Sequence, residues 1–278
     1  MKEEEIKKAV REGYGQIAAQ GGSGCFPSVS CCGSAATPNT ISLQVGYSAE
    51  ELRTVPEGAN LGLGCGNPLA LASIRTGEVV LDLGSGAGFD CFLAARQVGP
   101  SGKVIGVDMT PEMVAKAREN ARKGGFQNVE FRLGEIEHLP VADNSVDWII
   151  SNCVINLAPD KKQVFQEALR VLKPGGWLMI SDIVWLQEIP QAIRESAGAY
   201  VACLSGAVRR EEYLGAIQAA GFEGVRVVGE TPVPGELFQG DPLGRTIMEQ
   251  LNLSPEQLQA GIRSIASVKV KAQKPIAD

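Results

Sequence analysis

The chain has 278 residues, of which 44% are hydrophobic, and it carries a net charge of -6. This length suits one large α/β domain, or one domain with a sizeable appendage. The negative charge argues against sequence-independent binding to nucleic acid, and no apolar run reaches membrane-spanning length. The charged N-terminus, MKEEEIKKAVREGYG, lacks the apolar core of a signal peptide, so we expect a cytoplasmic protein with no nucleic-acid or membrane partner.

The N-terminal region is predicted to contain two helices. Residues 2–20 have apolar side chains three or four positions apart on one face, which predicts a helix packed on the main domain. These side chains are Ile6, Val10, Tyr14 and Ile17. A short helix is predicted over residues 47–52, with Ser48 as its N-cap and Glu51 completing a capping box.

Seven cysteines stand out in a chain expected to be cytoplasmic. In that compartment thiols stay reduced, so we expect cysteines that bind or react, and no structural disulfide framework. Cys25, Cys31 and Cys32 fall within residues 21–40, which are rich in Gly, Ser, Pro and Thr and are predicted to be a loop. The alternative is that these three are chance cysteines, buried elsewhere in the fold.

A glycine-rich turn is predicted over residues 58–68, GANLGLGCGNP, where Gly64 and Gly66 flank Cys65. This turn differs from a nucleotide loop, because no strand precedes it and no acid follows at a useful distance. The bare backbone on either side is expected to leave the Cys65 sulfur accessible.

The strongest pattern is VVLDLGSGAGFDC over residues 79–91, which predicts a buried parallel strand, a glycine turn and the start of a helix. Gly84, Gly86 and Gly88 are expected to let the backbone approach a ligand where a Cβ would clash. Such a turn can hold a dinucleotide pyrophosphate or a nucleoside without phosphate. A glycine turn with no ligand is the alternative.

A second strand, KVIGVD over residues 103–108, ends in Asp108 about 20 residues later, where the ribose hydroxyls of a nucleoside would sit. Thr110 is predicted to be the N-cap of the next helix, with Pro111 at its first position. Together these features favour a nucleoside site over an empty turn.

Strands and helical segments alternate through residues 79–182, which predicts a parallel sheet covered by helices on both faces. Ligands of such sheets bind beyond the carboxyl ends of the strands. The polar side chains at predicted strand ends are therefore expected to line one rim. They are Asp82, Asp108, Glu135, Asn152 and Cys153.

Beyond the central sheet we expect a C-terminal substrate-binding extension. Helices are predicted over residues 190–197 and 209–220, the second closed by Gly221, and a strand over residues 225–228. Cys203 falls between the two helices, in an insertion that can fold over the sheet edge. We therefore predict three regions. Residues 1–70 carry the N-terminal cysteines, residues 71–182 bind the nucleoside, and residues 183–278 form the C-terminal extension.

Three further thiols, Cys65, Cys153 and Cys203, come from separate segments, and none forms a CxxC pair with another. Zinc-knuckle spacing is therefore absent, although soft thiolates do select thiophilic centres. Cys153 follows an apolar strand, where it either faces a substrate or is a buried strand-end cysteine. Cys91 lies in the first turn of a helix and is expected in the core.

This order of motifs resembles the class I S-adenosylmethionine-dependent methyltransferases, which have a Rossmann-like α/β fold. The shared motifs are LDLGSGAG, GVD, GEIE at residues 134–137 and LKPGG at residues 172–176. The resemblance implies S-adenosylmethionine as cofactor, with Asp108 on the ribose, residues 84–88 at the methionine portion, and Ile136 and Glu137 near the adenine. The implied cofactor-binding residues are Asp82, Gly84, Ser85, Gly86, Gly88, Asp108, Met109, Ile136, Glu137 and Asn152.

The turn GLGCGNP narrows the resemblance to the arsenic(III) S-adenosylmethionine methyltransferases, which serve arsenic detoxification. That family implies arsenite and methylarsenite as substrates. Its catalytic thiols correspond to Cys32, Cys65, Cys153 and Cys203, of which the last three would hold arsenic(III). Cys31 is the alternative to Cys32 as the redox cysteine, and Cys25 has no implied role. Thioredoxin or glutathione would act as the thiol reductant that resets the enzyme.

Two other functions stay open from the sequence. One is a methyltransferase that acts on a small organic molecule and in which the cysteines have no role. Such an enzyme would have the same nucleoside-binding motifs. The other is a thiolate metal-binding or sensor protein, although such a protein need not retain Asp82 and Asp108. The single histidine, His138, lies in a turn where a solvated or capping role competes with catalysis, and an Asp or Glu could still act as a base.

Overall fold

The computed structural model describes residues 3–20, 37–187, 206–232 and 264–276 of the chain. Its helices in these ranges are α1 (Glu3–Gln20), α2 (Pro38–Gln44), α3 (Ala49–Thr54), α4 (Phe89–Val98), α5 (Pro111–Gly124), α6 (Lys161–Val171) and α7 (Arg210–Ala219). Its strands are β1 (Val79–Leu83), β2 (Lys103–Asp108), β3 (Val129–Leu133), β4 (Val146–Asn152), β5 (Leu172–Trp185), β6 (Glu223–Pro232) and β7 (Ile265–Gln273). A 3-10 turn, Ile155–Leu157, follows β4.

These strands form one sheet in the order β3-β2-β1-β4-β5-β7-β6. The strands β1 to β5 pair in parallel, whereas β7 runs antiparallel to both β5 and β6. The predicted alternation of strands and helices is confirmed. The sequence pattern did not predict that the last strand would enter between β5 and β6, because that position depends on pairing between distant segments.

Both faces of the sheet are covered, as predicted. Alternate strand residues point to opposite faces. Leu81 and Leu83 belong to the same buried cluster as Phe165 of α6, whereas Val80 packs with Phe92 of α4 on the other face. Burial on both faces explains why the β1 sequence is apolar almost throughout.

The capping box predicted for α3 is present. The backbone N–H of Glu51 donates to Ser48 Oγ at 3.1 Å, and the N–H of Ser48 donates to Glu51 Oε2 at 2.7 Å. Thr110 and Pro111 hold the predicted positions at the start of α5, but Thr110 makes no side-chain cap bond. Its N–H instead donates to Asp108 Oδ1 at 2.9 Å, which ties the start of α5 to the end of β2.

The N-terminal helix α1 packs on the main domain, as predicted. Val10 and Ala18 are buried, and Lys116 Nζ of α5 donates to the carbonyl of Ala18 at 3.1 Å. Residues 38–40 were predicted to belong to a loop but form the start of α2, and the rest of that predicted loop, residues 21–36, lies outside the described residues. No helix in the described ranges is both long enough and apolar enough to cross a bilayer.

The helix predicted over residues 209–220 and the strand predicted over residues 225–228 are both present. Helix α7 is followed by Gly221 in the left-handed conformation, and β6 contains the predicted strand. Several predictions fall outside the described residues. They concern Cys25, Cys31, Cys32, the helix over residues 190–197 and Cys203.

Candidate functional site

A cleft lies beyond the carboxyl ends of β1, β2 and β4. Its lining includes most of the residues that the sequence indicated for the cofactor, together with Cys153. They are Asp82, Gly84, Ser85, Gly86, Asp108, Met109, Ile136, Glu137 and Asn152. The carboxyl ends of neighbouring parallel strands meet at one edge of a sheet, which explains why residues from separate motifs share this cleft.

Gly86 and Gly88 serve different purposes in the turn after β1. Both have φ in the left-handed region, at 51° and 96°. A Cβ on Gly86 would meet no described atom within 4 Å, whereas a Cβ on Gly88 would lie 2.7 Å from Phe92 Cε2 and 2.8 Å from Phe131 Cζ. Close approach of a ligand therefore suits Gly86. Gly88 leaves room for the aromatic rings of the protein itself and does not line the cleft.

We expect Gly86→Ala and Gly88→Ala to have different effects. Gly88→Ala should lower the free energy of unfolding by about 1–3 kcal/mol or more, since two rings must shift. Gly86→Ala should cost only about 1–2 kcal/mol of backbone strain and mainly weaken cofactor binding. Urea unfolding and calorimetric titration with S-adenosylhomocysteine measure the two effects. Equal destabilisation with unchanged affinity in both variants would contradict this division.

Three buried carboxylates face the cleft. Burial and the charge of Asp90 raise the pKa of Asp82 well above its ordinary value, and burial raises the pKa of Asp90 to about 6. Burial also raises the pKa of Asp108, although the N–H groups of Gly86 and Thr110 each donate to its carboxylate at 2.9 Å. A nearby positive charge stabilises ionised carboxylates, so the cleft favours a ligand with cationic groups.

Two cleft residues were not found from the sequence. The hydroxyl of Tyr47 donates to Asp90 Oδ1 at 2.6 Å, and both side chains are buried in the cleft wall. Tyr47 precedes a short helix and Asp90 lies in the first turn of α4, so their local patterns indicated only secondary structure. An acidic residue directly after a glycine turn is the signal that could have indicated Asp90.

Lys7 of α1 forms ion pairs with two glutamates. Its Nζ lies 2.8 Å from Glu135 Oε2 and 3.1 Å from Glu137 Oε1. Burial lowers the pKa of Lys7, but hydrogen bonds to both glutamates outweigh this effect and hold it above its ordinary value. Lys7 and Glu137 line the cleft. The sequence did not indicate this role, because a charged helix face usually faces solvent.

Cys91 and His138 take no part in the cleft lining. Cys91 is fully buried, as predicted, and its thiol donates to Asp82 Oδ2 at 3.2 Å. Burial and the neighbouring carboxylate raise the pKa of this thiol, which disfavours the reactive thiolate. His138 is exposed on the turn after β3, consistent with a solvated role.

The structure joins Cys65 and Cys153 in a disulfide, with their Cα atoms 5.8 Å apart. The expectation that the thiols stay reduced does not hold for this pair. Cys65, whose sulfur the sequence predicted to be accessible, is partly buried. The turn before β1 packs against the end of β4 and against Ser181 of β5, so two cysteines separated by 88 positions meet at one rim. Disulfides form readily at this Cα separation.

Cys153 also has an uncommon backbone conformation. Its φ of 59° is in the left-handed region, which costs a non-glycine residue about 1–2 kcal/mol. Its N–H donates to the carbonyl of Ser181 at 2.8 Å, and this bond holds the conformation. Strained residues of this kind concentrate at functional sites.

Asp182 lies beneath the cysteine pair. One of its carboxylate oxygens and the two sulfurs of Cys65 and Cys153 lie within 4.8 Å of one another. Its carboxylate accepts bonds from Asn156 Nδ2 at 2.8 Å and from the Tyr213 hydroxyl at 3.0 Å. Burial raises the pKa of Asp182 to about 6 despite these bonds.

We expect Asp182→Asn to remove part of the pH dependence of stability. The folded-state pKa is above the unfolded value, so the contribution of Asp182 is fully present below about pH 4 and is lost as the pH rises through about 6. At about 1.4 kcal/mol for each pKa unit, wild type should lose roughly 2 kcal/mol relative to the variant between pH 4 and pH 6, because the titration is incomplete at both limits. Urea unfolding at both pH values measures this difference. Parallel profiles would show that Asp182 does not titrate in this range.

The sheet order and the position of the cleft define the class of the protein. A parallel sheet with antiparallel β7 between β5 and β6, and a glycine turn and acid at the ends of β1 and β2, make up the class I methyltransferase fold. The methyltransferase domain family matches residues 74–221.

Individual relatives narrow this class. An arsenite methyltransferase of Halobacterium salinarum is 52% identical over 231 residues, which is 81% of this chain and 59% of the relative. The arsenite methyltransferase of Homo sapiens is 38% identical over 238 residues, which is 82% of this chain and 61% of the relative. The chain thus spans about three fifths of the length of these curated relatives.

A solved structure of an arsenic methyltransferase is also similar to this chain. The crystal structure of CrArsM, an arsenic(III) S-adenosylmethionine methyltransferase from Chlamydomonas reinhardtii, is 31% identical, with a TM-score of 0.60. The match covers 84% of this chain and 73% of that one. The chain therefore belongs to the arsenic(III) S-adenosylmethionine methyltransferase family.

Proposed function

We propose that this chain transfers methyl groups from S-adenosylmethionine to trivalent arsenic held by cysteine thiolates, and so detoxifies arsenic as methylated arsenicals. The observation that carries the proposal is the position of Cys153. It lines the same cleft as Gly86 and Asp108, and Cys65 is within bonding distance of it. A soft, thiophilic substrate would therefore be held beside the place where the donor binds.

The residues of the cleft fit S-adenosylmethionine. Asp108 has one backbone N–H on each carboxylate oxygen and keeps further lone pairs for the ribose hydroxyls. Gly86 leaves open space where the methionine portion would pass, and buried Asp82 and Asp90 favour its ammonium and sulfonium charges. Ile136 and Glu137 would contact the adenine. The bound cofactor supplies an electrophilic methyl group on its sulfonium.

The thiols hold the substrate. Cys65, Cys153 and Cys203 would be the arsenic ligands, and the Cys65–Cys153 contact supports this set because two ligands of one arsenic atom must be close neighbours. The arsenic lone pair forms the As–C bond while the S–CH3 bond breaks, so no proton is removed. Arsenic becomes formally pentavalent.

Return to the trivalent state needs two electrons. Two protein thiols supply them by forming a disulfide, with Cys32 or Cys31 as the partner of the substrate thiols. An external thiol system of the thioredoxin or glutathione type then reduces that disulfide. In this proposal residues 1–70 contribute redox and substrate thiols, residues 71–182 bind the donor, and residues 183–278 close over the substrate in a cytoplasmic enzyme.

The deciding experiment is transfer of labelled methyl from S-adenosylmethionine to arsenite in the presence of a thiol reductant. Zinc and a panel of organic acceptors are tested in parallel as controls. Label on arsenic alone supports the proposal. Label on organic acceptors alone would indicate a small-molecule methyltransferase, and thiol-dependent metal binding without any transfer would indicate a binding protein.

A further inference from the structure

The side-chain amide of Asn152 lies between the cleft and the turn that carries Cys65. Its Oδ1 accepts the backbone N–H of Cys65 at 3.0 Å, and its Nδ2 donates to the carbonyl of Gly66 at 2.7 Å. The Cys65 N–H needs an oxygen acceptor, so these two bonds also define which way the amide points. One side chain thus holds the backbone of Cys65 and of the residue that follows it.

The same amide reaches the cofactor side. Its Nδ2 lies 2.9 Å from Tyr47 Oη and 3.2 Å from Asp90 Oδ2, and Tyr47 itself donates to Asp90. An amide nitrogen has two hydrogens, so one serves Gly66 while the other is shared between Tyr47 and Asp90. Tyr47, Asp90 and Asn152 all line the cleft.

The turn around Cys65 is tightly packed against the Asn152 side chain. A Cβ on Gly64 would lie 2.6 Å from Asn152 Nδ2, so the turn packs directly on the amide. Asn152 is also the last residue of β4, and Cys153 follows it at once. The amide therefore contacts one proposed arsenic ligand through its backbone and adjoins the other along the chain.

We propose that Asn152 is a positioning residue that couples cofactor binding in the cleft to the placement of Cys65 beside Cys153. This inference deepens the proposed function and rests on it. A cationic cofactor contacts Tyr47 and Asp90, which restrains Asn152 and, through it, the Cys65 turn. Arsenite that bridges the two thiols then orders a turn that is already restrained, so it binds more tightly. Coupling of this kind is reciprocal.

The first test compares arsenite affinity of the reduced protein with and without saturating S-adenosylhomocysteine. In wild type the cofactor product should tighten arsenite binding about tenfold, within the usual range of such couplings. Asn152→Ala and Asn152→Asp should reduce that factor to about one. The aspartate keeps the shape of the side chain but places an oxygen against the Gly66 carbonyl and Asp90, so it tests the role if the alanine variant does not fold.

Asn67→Ala is the matched control. Asn67 is a buried asparagine two positions after Cys65, and its side chain bonds to the carbonyl of Gly46 and the N–H of Ala70, with no part in the cleft lining. This variant should lose stability yet keep the wild-type coupling. Loss of coupling in Asn67→Ala as well would show a general loosening of the turn and overturn the inference.

A second measurement separates this inference from the proposed function. The rate at which dithiothreitol reduces the Cys65–Cys153 disulfide is followed with and without S-adenosylhomocysteine, with no arsenic present. A cofactor effect on this rate in wild type that vanishes in both Asn152 variants supports the coupling even if arsenite is not methylated. An absent effect in wild type, or an effect that persists unchanged in the Asn152 variants, overturns it.

Discussion

Replacing Cys153 by serine should abolish methylation of both arsenite and methylarsenite. Cys153 lines the cleft, and a hydroxyl is a poor ligand for so soft a centre. Loss of an outer partner of a metal ligand typically costs about 10–100-fold, so loss of the ligand itself should exceed about 100-fold on each substrate. Turnover of the two substrates is measured separately with a thiol reductant present.

The companion variant Cys65→Ser should separate the two substrates. Arsenite has three exchangeable positions, whereas methylarsenite has two, because carbon occupies the third. In the proposed site, Cys153 and Cys203 would suffice for the methylated substrate, whereas arsenite would also need Cys65 as its third ligand or Cys32 to regenerate it. Cys65→Ser and Cys32→Ser should therefore lose arsenite turnover and keep much of the turnover of methylarsenite. Cys203→Ser should lose both activities.

Cys91→Ser is the control for these thiol variants, since its hydroxyl can still donate to Asp82 and Cys91 lies outside the proposed arsenic ligands. It should retain turnover of both substrates. Parallel loss of both activities in Cys65→Ser would show that arsenite and methylarsenite need the same thiols. Retained activity in Cys153→Ser would remove Cys153 from the arsenic site.

Replacing Asp108 by alanine should weaken binding of S-adenosylmethionine by roughly 2–3 kcal/mol, or about 30- to 150-fold, because the variant lacks the buried carboxylate that we propose accepts the ribose hydroxyls. Arsenite affinity of the reduced protein, measured without cofactor, should change far less. Calorimetric titration of the folded variant gives both values.

Asp147→Ala is the matched control for Asp108→Ala. Asp147 also accepts a backbone N–H, that of Val79 at 2.9 Å, but it does so at the opposite end of the sheet, where it pairs with Lys173. This variant should lose some stability and keep its cofactor affinity. Unchanged affinity in a folded Asp108→Ala variant would refute the ribose assignment.

Much of the cofactor half could be predicted because its signals are local. Each signal depends on one short segment alone. These signals are the apolar run before Asp82, the glycines after it and the acid at Asp108. Parallel strands then bring their carboxyl ends together without further information. The separate purposes of Gly86 and Gly88 were not evident, because the rings of Phe92 and Phe131 reach Gly88 only in the folded chain.

The sequence by itself determined the alternation of strands and helices, the nucleoside rim and the residue types able to hold a soft substrate. Only the tertiary structure decided that Cys65 meets Cys153, that Asn152 holds the Cys65 turn, and that Lys7 and Tyr47 enclose the cleft. The physical reason is the distance along the chain between the residues that interact. Periodicity and turn residues record how each segment buries its own side chains, whereas contacts between segments far apart in the chain depend on how the whole sheet and its covering helices pack.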